Sequence, residues 1–375
     1  MKKLSFLFGL IIVFSIFFIG CISIAKAQLD FDNEAGLEVF KAEVIDILGQ
    51  EVVTDDSGVE YVQQDLKLKG LEGQYRGRDI FFYGISDLRV LSQIEYSEGD
   101  KVLVAAEYNS LGEKVFYVTD YVRTGSIYWL LAAFVATVLL VGKFKGLRSL
   151  IGLGLSFVII LKFIIPQILI GRDPLLVSIS GCFLILIVSV YLTQGWNQKA
   201  HIINISLLLS LLIVSGLSLL FTSVTKLAGF ASEEILFLVD LNQGQLNLRG
   251  LLLAGILIGT LGVLDDVIIN QVSVVEQIKK ANARQNYLQV ARQGLKVGVD
   301  HISSMTNTLF FAYAGASLPL LILFNINQPP FLEFSQIINH QLIATEIART
   351  LVGSIGLMLA IPISNLLASK YLKIG

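Results

Sequence analysis

The sequence predicts an α-helical polytopic membrane protein with a small extracytoplasmic all-β domain, and three observations predict it. The 375-residue chain is 54% hydrophobic and only 15% charged, with a mean hydropathy of +0.71, whereas soluble domains are about one quarter charged. Its apolar residues are gathered into long runs rather than scattered. One interval, residues 28–124, breaks that habit with polar residues alternating with β-branched and aromatic ones. The net charge of −2 is uninformative until its distribution along the chain is read.

The first element is the stretch MKKLSFLFGLIIVFSIFFIGCISIAKAQ. Lys2 and Lys3, an apolar run and Ala25-Lys26-Ala27 compose a charged n-region, an h-region and an A-x-A site, so residues 1–27 read as a signal peptide cleaved before Gln28. The run is long for a signal, which leaves an uncleaved anchor open. A lipid-modified Cys21 is a weaker alternative, because Phe18-Ile19-Gly20 match poorly before the cysteine. Each version delivers the next segment of the chain to the outside.

Within residues 28–124, VFKAEVIDIL, YVQQDLKLKGL, DIFFYGI, KVLVAAEY and KVFYVTDYV read as strands by their period-two alternation. Glycines such as Gly58, Gly70, Gly84, Gly99 and Gly112 punctuate them. About five strands in about 95 residues suggest a small barrel or sandwich, with the OB type among the candidates. Such barrels often bind nucleic acid, but this segment is not basic and its expected place is outside the cell, so nucleic acid is not an expected partner. The polar turn EGQYRGRD, with Arg76 and Arg78, reads as a solvated hairpin in preference to a ligand contact.

A helix needs about 20 apolar residues to span the hydrocarbon, and the region 125–375 offers about seven candidates: 126–142, 149–170, 175–193, 202–223, 250–270, 303–325 and 346–368. Basic residues follow the odd-numbered spans: Lys143, Lys145 and Arg148, then Lys199, then Lys279, Lys280, Arg284, Arg292 and Lys296, then Lys370 and Lys373. That alternation places the C-terminus in the cytoplasm and the protein in the plasma membrane as a multi-pass chain. Residues 272–298 carry apolar positions at helical spacing beside a basic face and read as a cytoplasmic amphipathic helix on the membrane surface. The alternative is a helical-hairpin extension of the flanking spans. Residues 230–243, with EEILFLVDL, suggest a short amphipathic segment at the outer surface.

Two adjacent acids, Asp265 and Asp266, interrupt the fifth expected span in GTLGVLDDVIINQ. At about 1.5 Å rise per residue they lie about 21 Å into a core of about 30 Å, in its inner third. Gly255, Gly259 and Gly262 mark a face on which a second helix can approach closely. Gly262 and Asp266 share that face, so Asp266 is expected to point into the bundle and Asp265 elsewhere. A carboxylate at this depth costs roughly 2.5–3.5 kcal/mol on insertion scales, so the pair needs a partner, a proton or water. Embedded ionisable groups are by default proton relays, ion sites or substrate contacts; the bland reading is that the acids cap the inner end of the span. Asn307 and Thr308 return to the same depth on the sixth span, Asp300 and His301 sit at its inner mouth, and Lys162 lies near the middle of the second span just before Pro166. These are the candidate ion- or proton-coupling partners. Glu346 and Arg349, three residues apart, read as an interfacial ion pair.

Several chemistries are absent from the sequence. It holds no G-x-x-x-x-G-K-[ST] and no H-E-x-x-H. Intramembrane aspartyl proteolysis needs acids facing each other from separate helices, and these are sequence neighbours. Cys21 and Cys182 both lie in apolar segments, and His201, His301 and His340 are too scattered for a local metal motif. The chain is therefore not expected to be an enzyme or to hold a metal or cofactor.

The motifs GTLGVLDDVIINQ, GVDHISSMTNTLFFAYAGASLPLLILF and EIARTLVGSIGLMLAIP, in that order, resemble the YibE/F family of bacterial multi-pass membrane proteins. The resemblance implies the architecture; that family carries no settled activity to transfer. A weaker similarity in motif order links the acids, the basic helix and the TNT that opens the next span to the membrane repeat of SecD/SecF proteins and their proton-driven RND relatives. It implies that Asp265 and Asp266 are proton-responsive, with Asn307 and Thr308 opposite.

The leading functional expectation is a proton- or ion-coupled transporter or export component of unknown cargo. The competing one is a non-transporting envelope sensor or scaffold whose β domain binds a partner. Expected partners are the lipid bilayer, an unidentified cargo or envelope protein, and a second copy of the chain in a homo-oligomer.

Overall fold

The structure is a computed structural model and describes residues 38–54, 58, 60–85, 94–108, 112, 114–229, 247–319, 321–322 and 332–373. The expected signal peptide with Cys21 and the expected amphipathic segment at 230–243 lie outside the described residues. The chain forms two compact units, Met1–Ala136 and Thr137–Gly375.

The first unit is one antiparallel sheet of five strands: β1 (Glu38–Thr54), β2 (Glu60–Gly70), β3 (Asp79–Tyr83), β4 (Lys101–Tyr108) and β5 (Lys114–Tyr121), in the order β3-β2-β1-β4-β5. β1 is long enough to pair with both β2 and β4, and it bends through register shifts between Val44 and Asp46 and between Ile47 and Gly49. The alternation seen in the sequence is the burial pattern. Phe40, Ala42 and Val44 on β1, Leu66 and Leu68 on β2, Ile80 and Phe82 on β3, and Val102 and Val104 on β4 form one core. The polar turn after β2 is anchored from inside, since Tyr75 stacks on Phe40 at 4.1 Å and donates to Glu38. Gly70 is required there, because a Cβ would lie 2.1 Å from the Tyr75 carbonyl oxygen. Arg76 and Arg78 are exposed and make no ion pair among the described residues.

The helices are α1 (Thr124–Ile159), α2 (Ile165–Leu169), α3 (Pro174–Gln194), α4 (Gln198–Val224), α5 (Leu248–Ala281), α6 (Tyr287–Ala316), α7 (Phe334–Asn339) and α8 (Gln341–Tyr371). Four of them start on a side-chain cap: Asp173, Asn197, Asn247 and Asn286 each accept a backbone N–H from the first turn. A π-helical turn, Ile160–Ile164, joins α1 to α2. Its cause is local: Pro166 has no N–H to give the Lys162 carbonyl, so the ladder shifts. Ile164 is thereby pressed onto α3, where a Cβ at Gly181 would lie 2.4 Å from Ile164 Cγ1.

Among the described residues five helices are long and apolar enough to cross a membrane, Thr124–Leu169, Pro174–Gln194, Gln198–Val224, Leu248–Ala281 and Gln341–Tyr371. The expectation of seven is corrected to five. The first two expected spans belong to one helical run, which departs from helical geometry at Lys143 (φ 49°, ψ −131°). The sixth lies on α6, which begins well before it in a polar stretch and is not among the five. The expected surface helix at 272–298 is also corrected. α5 continues to Ala281, a short turn follows, and α6 starts at Tyr287, so this segment is a helical hairpin. Val272 and Val275 pack into the bundle, as do Val290 and Ala291.

α8 is the central helix of the second unit and packs on α4, α5 and α6. Its seam is small-residue: Gly356, Ala360, Ser364 and Ala368, four apart, are all buried. A Cβ at Gly356 would lie 2.2 Å from Val214 Cγ2 of α4, so the two backbones are in close approach. Gln198 donates to the Tyr371 carbonyl (2.9 Å) and Lys279 Nζ to the Leu372 carbonyl (2.7 Å). The α3–α4 turn and the C-terminal ends of α5 and α8 therefore share one end of the bundle.

Candidate functional site

The packed side of α5 is built from branched aliphatic residues. Leu253, Ile256, Leu257, Leu264, Val267, Ile268 and Val275 are buried. Gly255, Gly259 and Gly262 lie on the other side and are exposed, and Asp266 shares that exposure. Among the described residues a Cβ added at Gly255 or Gly262 would meet nothing within 4 Å, and at Gly259 only Tyr313 of α6 comes close. The expectation that this glycine face packs the bundle and carries Asp266 inward is thus reversed. The aspartate turned inward is Asp265. Its Oδ1 is fully enclosed and has no hydrogen-bond partner among the described residues, and the Ser189 hydroxyl of α3 lies against its carboxylate. Ser189 Oγ is in turn 3.9 Å from where a Cβ on Gly152 of α1 would stand. A buried carboxylate oxygen without a partner is costly, so this position calls for a proton, a cation or a water.

The other nominated residues are not gathered at Asp265. Asp300, Asn307 and Thr308 are exposed, and the Thr308 hydroxyl bonds back to the Ser304 carbonyl at 3.2 Å. No hydrogen bond joins Asn307 to either aspartate among the described residues. His301 is half-buried, with Nε2 enclosed and unpartnered. Lys162 is half-buried in the π turn and makes no ion pair among the described residues. Glu346 and Arg349 do pair, at 2.9 Å, beside an apolar cleft of about 200 Å³ between α6 and α8 lined by Phe310, Tyr313, Ile343 and Ile347.

Two polar features were missed in the sequence. The first joins three helices. Gln271 of α5 donates to Asn365 Oδ1 of α8 (3.0 Å) and to the Gly294 carbonyl of α6 (3.0 Å), and Asn365 donates to the Ala291 carbonyl (2.7 Å). The close approach depends on glycine, since a Cβ at Gly294 would lie 2.2 Å from Asn365 Oδ1 and one at Gly298 would lie 2.8 Å from Gln271 Oε1. The G-x-x-x-G at 294–298 was the available signal. The second is Asn204 on α4, 8% exposed, whose Oδ1 and Nδ2 are both enclosed without a partner. The bundle end nearest these groups is charged: Glu276 bridges Lys199 (2.8 Å) and Lys280 (2.6 Å). Beside it Tyr191 and His201 share a hydrogen bond of 2.6 Å, with Trp196 stacked on Tyr191.

No group of three or more His, Cys, Asp or Glu that could hold a metal ion occurs among the described residues. What the arrangement provides is a helical bundle with an apolar exterior and isolated polar groups inside, one of them a carboxylate. Five long apolar helices of this kind make the chain an integral membrane protein. The model of the YibE/F-like protein family matches residues 130–374, well over half of the chain, and the protein belongs to that family. No curated protein and no solved structure matches it. The likeness to the SecD/SecF membrane repeat finds no support in those comparisons.

Proposed function

We propose that this YibE/F-like membrane protein is an ion- or proton-coupled transporter or export component, with Asp265 as the coupling carboxylate. The observation that carries the reading is the enclosed, unpartnered Asp265 Oδ1 against Ser189. A membrane bundle that keeps a carboxylate inside, with no cation paired to it among the described residues, calls for a mobile charge to neutralise it. The end bearing Lys199, Lys279, Lys280 and Lys370 is the cytoplasmic one by its positive charge. The β unit is read as extracytoplasmic and as an OB-type barrel opened between β3 and β5, the order its strands follow.

The test is ion flux into liposomes holding the purified full chain under an imposed pH or sodium gradient. Wild type carries flux, Asp265→Asn abolishes it, and Asp266→Asn, on the exposed side, retains it. Equal flux in wild type and Asp265→Asn removes the carboxylate from the mechanism. No flux from wild type under either gradient favours the envelope-sensor reading.

A further inference from the structure

Asn204 is a buried amide whose two polar atoms are both without a partner among the described residues, and its surroundings can be placed by register. Asn204 and Thr222 are eighteen residues apart on α4, about five full turns, so they share one azimuth. Arg249 Nη2 of α5 reaches Thr222 Oγ1 at 3.5 Å, so that side of α4 looks toward α5. The Arg249–Thr222 contact at one end and the Lys199–Glu276 ion pair at the other show that α4 and α5 run antiparallel. Those contacts bracket Asn204 between Val267 and Gln271, two to six residues along α5 from Asp265. The Tyr191–His201 hydrogen bond fixes the α3–α4 hairpin in the same way and sets Ser189 level with Ile203 and Asn204. α3, α4 and α5 all pack on one another. Ser189 lies against Asp265 and level with Asn204, so the three residues approach one another along a three-helix wedge, each from a different helix.

We propose that this wedge binds one small monovalent cation of the sodium class, held by Asp265 Oδ1, Asn204 Oδ1 and Ser189 Oγ. The inference rests on the coupling role given to Asp265 above and names the ion. The donors are hard oxygens with no imidazole or thiolate among them, which suits an alkali cation and not a transition metal. They carry one negative charge. A divalent ion would call on a second carboxylate, and the neighbouring Asp266 is exposed on another face. A proton alone satisfies Asp265 but leaves Asn204 Oδ1 empty, whereas a cation between the helices satisfies both, with Asn204 Nδ2 donating to a water of the same pocket.

The experiment is thermal unfolding of the purified full chain in detergent, titrated with sodium chloride against choline chloride at constant ionic strength. Binding to the native state raises the midpoint saturably. The expected result is a sodium-specific rise that choline lacks, with the half-saturating sodium concentration increased at least tenfold in Asn204→Leu and several-fold in Ser189→Ala. Ser189→Ala removes one hydroxyl and stands in where the bulkier change prevents folding. A wild-type midpoint that responds equally to sodium and choline overturns the site, as does an unchanged sodium response in both variants. Asp265-dependent proton flux without a sodium response leaves coupling standing and sinks the sodium site. A sodium response in a chain that carries no flux leaves the site standing and sinks coupling.

Discussion

At the scale of the residue, the glycines separate true close packing from its appearance. Gly255 and Gly262 look like a helix-packing motif but face open space, whereas Gly356 lies against Val214. Gly255→Ala is expected to be neutral or stabilising by up to about 1 kcal/mol, the helix-propensity gain of alanine over glycine. Gly356→Ala is expected to cost about 1–3 kcal/mol, because the branched Val214 cannot swing aside and the backbones must separate. Chemical unfolding of the two variants in mild detergent checks both signs. The same scale governs the adjacent acids. One step along a helix turns about 100°, so two neighbours with the same side chain have opposite fates: Asp265 goes inside and Asp266 outside.

At the scale of the element, the α5–α6 hairpin is tied to α8 by Gln271 and Asn365. Both side chains are buried, and neither can be removed without leaving the other or a carbonyl short of a partner. Gln271→Leu and Asn365→Leu are each expected to destabilise the bundle by about 1–3 kcal/mol. The double variant should lose less than the sum, because the second deletion removes an already orphaned group. Unfolding free energies of the two singles and the double measure that coupling. Strict additivity would show that the two amides do not act as a unit.

At the scale of the whole molecule, the β unit and the bundle answer to different solvents, and pH addresses the first. The Tyr75 hydroxyl and then the Lys114 ammonium hold the Glu38 carboxylate below its ordinary range. A depressed carboxylate contributes stability above its unfolded value and loses it as pH falls through the folded one. Burial, then the nearby Tyr121 and Asp120, push the Tyr96 hydroxyl from 10.0 up to about 12. The folded state then holds its proton longer than the unfolded chain does, so stability is full below pH 10 and declines between about 10 and 12. Tyr96→Phe is expected to keep the fold and flatten that alkaline decline, while Glu38→Gln flattens the acid limb. Near-ultraviolet circular dichroism of the full chain across pH reads both.

Much of the architecture was legible along the chain. Apolar runs and period-two alternation mark helices and strands because burial imposes those periods on any sequence that folds this way. The three long motifs carried the family. The number of spans was not legible, because an apolar run does not reveal whether its helix breaks at Lys143 or starts early at Tyr287. The site was half legible: a carboxylate pair in an apolar helix is conspicuous, but Asn204, Ser189 and Asn365 are inconspicuous until their helices are brought together. By itself, then, the sequence determined a membrane-embedded helical chain with a β unit, and which residues share a face. Only the tertiary structure decided which face is packed. In a helix that is apolar on nearly every side periodicity cannot choose, and the neighbouring helices make the choice.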